Sequence, residues 1–119
     1  MVTSDLSARI NDVLRYVGIT RNMNAYMILS QALTLIAEDE DRLRAVEKEI
    51  YTPIADKTLR GPRAVQSTVR RASKVAWDFF PDRVQALAGY PLNGRPSAVA
   101  MLELLYNGVA RYDDLSILK

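Results

Sequence analysis

This chain has no cysteine and no histidine. Without cysteine there are no disulfides, thiolate metal sites or thiol nucleophiles. Without histidine, zinc catalysis, His-activated nucleophiles and imidazole acid–base chemistry are also excluded. Acidic ligands alone do not restore a metal site. Glu38-Asp39-Glu40-Asp41 is the only dense carboxylate cluster, and it lacks the spaced ligands and glycine of a calcium loop. It reads as a solvated turn or the acidic first turn of a helix. Arg60-Gly61-Pro62 is too short for a phosphate-cradling loop and lacks its Lys-Ser/Thr. The expectation is a non-enzyme with no cofactor and no metal. No apolar run reaches the roughly 18–20 residues that span a bilayer. The start, Met1-Val2-Thr3-Ser4-Asp5, lacks the basic and apolar regions of a signal peptide. The expected compartment is the cytoplasm.

What remains is an ordinary globular composition, 49% hydrophobic and 25% charged over 119 residues. That length allows one compact core, so residues 1–119 read as a single domain. Its periodicity is helical throughout, with no convincing strand. The fold class is therefore all-α, with about six helices. The first runs from about Ser4, as N-cap, to Val17, with Gly18 just past its end. Its apolar face is Leu6, Ile10, Val13, Leu14 and Val17. The second runs from Asn22 or Met23 to Ala37 and is apolar over most of its circumference, as a central helix is. A third covers Leu43 to Tyr51, and a fourth starts at Thr52-Pro53 and continues through Leu59. Pro53 cannot sit in a straight ladder, so these two can also form one bent helix.

Gly61-Pro62 opens the next helix, which runs to Phe79 or Phe80. Val65, Val69, Ala72, Ala76 and Phe79 form its inward stripe, Val75 widens it, and Trp77 anchors one edge. Pro81 opens a short helix through Val84 and Leu87 that ends at Gly89. After a loop from Tyr90 to Pro96, Ser97 caps a last helix with Val99, Leu102, Leu105, Tyr106 and Val109 facing inward. The tail from about residue 113 is expected to fray, although Leu115, Ile117 and Leu118 can dock.

Charge is unevenly distributed. Lys57, Arg60, Arg63, Arg70, Arg71 and Lys74 follow one another with no acid between them, although the net charge is only +2. Such a segment suits a polyanion, because Lys and Arg displace counterions from phosphates. Opposite the apolar stripe, the helix from Pro62 presents Arg63, Gln66, Ser67, Arg70 and Arg71. Arg and Gln can bond bidentately to base edges in the major groove, and Ser to bases or phosphates. These are the base-reading candidates. Lys57, Arg60, Lys74 and Arg95 are the phosphate candidates. A short helix, a Gly-containing turn and a basic amphipathic helix follow in helix-turn-helix order. The turn departs from the standard three-residue type, and Leu59 stands where glycine is commonest. The charges alone fit a solvated helix face equally well.

The run from Ile54-Ala55 to Val75-Ala76-Trp77 resembles the C-terminal effector domain of the sporulation-initiation response regulators of endospore-forming bacteria. The resemblance extends through Val17-Gly18-Ile19, Ala25-Tyr26-Met27, Gln31-Ala32, Ala88-Gly89-Tyr90 and Arg95-Pro96-Ser97. It implies a six-helical, non-enzymatic domain that binds a short duplex DNA box with the helix from Pro62. It also implies pairing of two copies on tandem boxes and contact with the sigma subunit of RNA polymerase. This chain has Gln66 and Ser67 where the family carries Glu and Arg, which changes the base preference. Arg70 matches the family's Arg, Arg71 stands where His is frequent, and Pro53 is one place late. The family's N-terminal receiver domain has no counterpart in these residues, so a truncated piece and a stand-alone regulator both fit. The alternative function is a helical protein-interaction module with weak or no specific DNA binding, docking through the last helix and the apolar tail.

Overall fold

The computed structural model describes residues 2–111, with side chains from residue 5 onward. Six α-helices form: α1 (Val2–Tyr16), α2 (Asn24–Glu38), α3 (Thr52–Thr58), α4 (Pro62–Phe79), α5 (Pro81–Ala88) and α6 (Ala98–Ala110). A 3₁₀ turn (Glu40–Arg44) and a π turn (Glu47–Tyr51) lie between α2 and α3. There is no strand among the described residues. The Cα radius of gyration, 13.2 Å, matches the roughly 13–14 Å of one compact domain this long.

α1 begins at Val2, so Ser4, expected at the N-cap position, lies inside its first turn. Its end follows the expectation. Gly18 takes φ 86, and the Ile19 N–H returns to the Leu14 carbonyl at 2.8 Å, which closes the last turn and turns Ile19 into the core. A Cβ on Gly18 would stand 2.5 Å from the Phe80 ring, so the position also fixes how closely α1 meets the end of α4. α2 is the central helix. Ile28, Leu29, Ala32, Leu33 and Ile36 are buried, and α1, α4 and α6 all pack on it.

The acidic cluster has structural work at each position. The Asp39 carboxylate accepts from the Asp41 N–H at 3.0 Å and starts the 3₁₀ turn. Glu38 pairs with Arg42, Asp41 with Arg44, and Glu40 accepts from the Tyr106 hydroxyl at 3.0 Å. The continuous third helix expected over Leu43–Tyr51 is instead broken at Ala45, whose φ of −143 is not helical. From Glu47 the chain does run through the expected bend into α3, with Tyr51 and Thr52 both helical. Pro53 has no N–H to offer the carbonyl four residues back, that of Glu49. The Arg42 guanidinium donates to that carbonyl at 2.8 Å, and the wider π turn carries the chain past the proline.

α3 ends at Thr58 and α4 starts at Pro62, so three residues separate them, where a non-standard turn was expected. Leu59 holds the left-handed conformation with φ 58, and Gly61 is the N-cap of α4. The buried side of α4 is Val65, Thr68, Val69, Ala72, Ser73 and Ala76. Val75 and Phe79 were expected to join it and do not, Phe79 being 73% exposed. Val75 lies about 100° around the helix from Ala76, and α5 departs just after Phe79. The Phe80 ring is half-buried, against Gly18 and 5.1 Å from the Arg83 guanidinium. α5 ends at Gly89, as its sequence requires, with φ 81. Ser97 caps α6 by accepting from the Ala100 N–H at 3.1 Å. Val99, expected inside, is exposed in the first turn, and Met101 and Leu104 are buried in addition to Leu102, Leu105 and Val109. Leu115, Ile117 and Leu118 lie outside the described residues. No helix among the described residues is long and apolar enough to cross a membrane.

Candidate nucleic-acid interface

The packing of α4 decides which of its residues face outward. With Val65, Val69, Ala72 and Ala76 held against α2, α3 and α6, about 100° per residue carries Gln66, Arg70, Arg63, Lys74, Ser67 and Arg71 onto one continuous outer arc. Gln66, Arg63, Arg70, Arg71 and Lys74 are exposed, and Ser67 is half-buried. The Arg70 guanidinium donates to the Ser67 hydroxyl at 3.3 Å, one turn back. Arg60 is exposed in the turn before the arc, beside Leu59. Lys57 faces elsewhere. It lines a small hollow between α2 and α3 with Ser30, Gln31, Thr34 and Glu38.

Tertiary packing adds a second group. A groove of about 530 Å³ separates α4 from the start of α6. Gln66 and Arg70 line one side, Arg95, Ser97, Ala98 and Val99 the other, and Tyr51 and Glu47 complete it. The buried Ser73 hydroxyl donates to the Pro96 carbonyl at 3.1 Å, which pins the loop carrying Arg95 to α4. Arg95 is more than twenty residues from Arg70 in sequence, yet the two line one groove. Burial raises the Tyr51 phenol above its ordinary value of 10.0, and the positive charge of Arg70 opposes that shift.

Acids also enter, which charge order along the chain did not reveal. The Lys74 ammonium donates to the Asp78 carboxylate at 2.7 Å, one helical turn on. Glu47 of the π turn lines the groove that holds Arg70 and Arg95. The basic run is therefore acid-free in sequence and partly countered in space.

Tyr51, Glu47 and Ser73 belong to this region, and the sequence pattern had not singled them out. Ser73 carried the clearest available signal, a polar residue beside Ala72 on the buried side of an amphipathic helix. Tyr51 and Glu47 carried none, because only the bend ahead of Pro53 brings them to α4. A family model described as sporulation initiation factor Spo0A C terminal matches residues 10–109, most of the chain.

Proposed function

The chain belongs to the Spo0A C-terminal family of DNA-binding, non-enzymatic transcription-factor effector domains, and on that premise we propose that it reads duplex DNA with α4 in the major groove. α3, the turn at residues 59–61 and α4 act as the helix-turn-helix, with α3 as the supporting helix. The observation that carries this reading is the outer arc of α4, where long cationic and amide side chains stand opposite a fully packed stripe. Arg63, Gln66, Ser67, Arg70 and Arg71 form the face offered to base edges, and Arg60, Lys74 and Arg95 flank it toward the backbone, whereas Lys57 lies at the hollow between α2 and α3. Gln suits adenine N6 and N7, and Arg suits guanine O6 and N7. Pairing of copies on tandem sites and contact with a sigma subunit belong to the same proposal, supported by family membership.

Selection of bound duplexes from a randomised pool, followed by methylation of guanine N7, tests the groove. A defined site whose binding is blocked by N7 methylation is expected, because N7 lies in the major groove. Recovery of no common sequence, or indifference to N7 methylation at every guanine, would contradict major-groove reading.

A further inference from the structure

Resting on the DNA-binding reading, we propose that the groove between α4 and the start of α6 is a pocket for one backbone phosphodiester, held by Tyr51, Arg70, Arg95 and the first amides of α6, and opposed by Glu47.

Tyr51 is the starting observation. It is 4% exposed, and its hydroxyl is buried with no hydrogen-bond partner among the described residues. A phenol kept only for packing leaves a donor unsatisfied at a cost, and phenylalanine would fill the same space without it. Tyr51 lines a groove that also holds Arg70, Arg95, Gln66 and Glu47. Arg70 and Arg95 bring two exposed guanidiniums. α6 starts at the groove, and its first ladder bond is from the Met101 N–H to the Ser97 carbonyl at 2.8 Å. The Ser97 side chain takes the Ala100 N–H, which leaves the Ala98 and Val99 amides ahead of the ladder. No acidic residue stands in the first turn of α6 to meet the positive end of its dipole.

A phosphodiester matches this set. It carries one negative charge, and its free oxygens only accept hydrogen bonds. The Ser73–Pro96 bond pins the backbone of the far wall to α4, and the two exposed arginines stand at that groove. Because the Tyr51 hydroxyl is covered, the exposed side chains around it rearrange as the phosphate enters. Arg70 then serves the backbone in place of a base edge, and its loss weakens binding evenly across sequences. Among the described residues Glu47 is the one carboxylate lining the groove, and it competes with the phosphate for the arginines. It holds affinity below what the donors alone would give.

The test uses the full chain and a duplex from the selection, prepared as a series with each phosphodiester in turn replaced by a neutral methylphosphonate. Tyr51→Phe is expected to weaken binding about fivefold on every duplex except one. On that one, the neutral linkage has already removed the contact. Glu47→Gln, at an exposed position that leaves the core intact, is expected to tighten binding several-fold. Equal affinity of wild type, Tyr51→Phe and Glu47→Gln would overturn the pocket and leave the DNA-binding reading standing. So would a Tyr51→Phe loss that is the same on every methylphosphonate duplex. A wild-type chain that binds no duplex would overturn both. Titration with inorganic phosphate, read at the Ala98 and Val99 amides by NMR, separates a further case. Shifts there without duplex binding would make this a site for a free anion and overturn its assignment to DNA.

Discussion

Leu59 occupies the one left-handed non-glycine position among the described residues, at the turn between α3 and α4. Its φ and ψ are 58 and 31. An L-residue there brings its Cβ toward the following carbonyl, which costs about 1–2 kcal/mol. The side chain recovers almost nothing by packing, because it is 94% exposed. Leu59→Gly relieves the strain, and the greater freedom of glycine in the unfolded chain takes back about 0.5–1 kcal/mol. The net expectation is a gain of about 0.5–1 kcal/mol. In urea denaturation, with a slope of about 1–3 kcal/mol per molar, the midpoint should rise by roughly 0.2–1 M. Leu59→Ala keeps both the Cβ and the strain and should stay near wild type. A midpoint that falls for Leu59→Gly at an unchanged slope would refute the reasoning. It would mean that the leucine side chain contributes more than its exposure allows.

Ser73→Ala removes the donor to the buried Pro96 carbonyl and should cost about 1–3 kcal/mol in chemical denaturation. No change would show that the Arg95 loop is held by something else. Asp78→Asn frees Lys74 from its partner, and duplex affinity should rise with a salt dependence steeper by up to about one unit, with little change in stability. Unaltered affinity would place Lys74 away from the backbone. The Tyr51 phenol is raised in the folded chain, so the fold favours its neutral form. Its contribution is complete below pH 10.0 and is lost as pH rises past that value through the raised folded one. Tyr51→Phe should therefore flatten the alkaline loss of stability, leaving the shares of Tyr16 and Tyr106, which are raised in the same direction. An identical alkaline decline in both proteins would contradict this.

Local chemistry made most of the helices legible. Gly18, Gly61-Pro62, Pro81, Gly89 and Ser97 each mark a boundary by a backbone or capping requirement that operates within a few residues, and the helices begin or end there. The stripe Val65–Val69–Ala72–Ala76 was legible for the same reason, since periodicity alone brings it to one side. What failed depended on neighbours. Phe79 had the right phase for the core, but α5 leaves before it can be covered. Val99 had the right spacing, but its turn borders the groove. The Ala45 break could not be read because no proline or glycine marks it. In the site, the outer arc of α4 followed from helix geometry. The meeting of Tyr51, Glu47, Arg70 and Arg95 did not, because it joins the π turn, α4 and the α6 loop across tertiary contacts.

The claim that the α4 face meets duplex DNA is tested most directly by affinity across a salt series, measured for wild type and for Arg63→Ala and Arg71→Ala. Both residues are exposed on the outer arc, so neither change should disturb folding. The logarithm of affinity should fall steeply and linearly with the logarithm of salt, by about 0.9 per phosphate neutralised. A variant that loses only a phosphate contact should show a slope shallower by about one and an even loss across sequences. A variant that loses a base contact should instead lose preference for the selected site by roughly 1–3 kcal/mol. A wild-type affinity indifferent to salt, or variants that match wild type in both slope and preference, would contradict the placement of α4 on DNA.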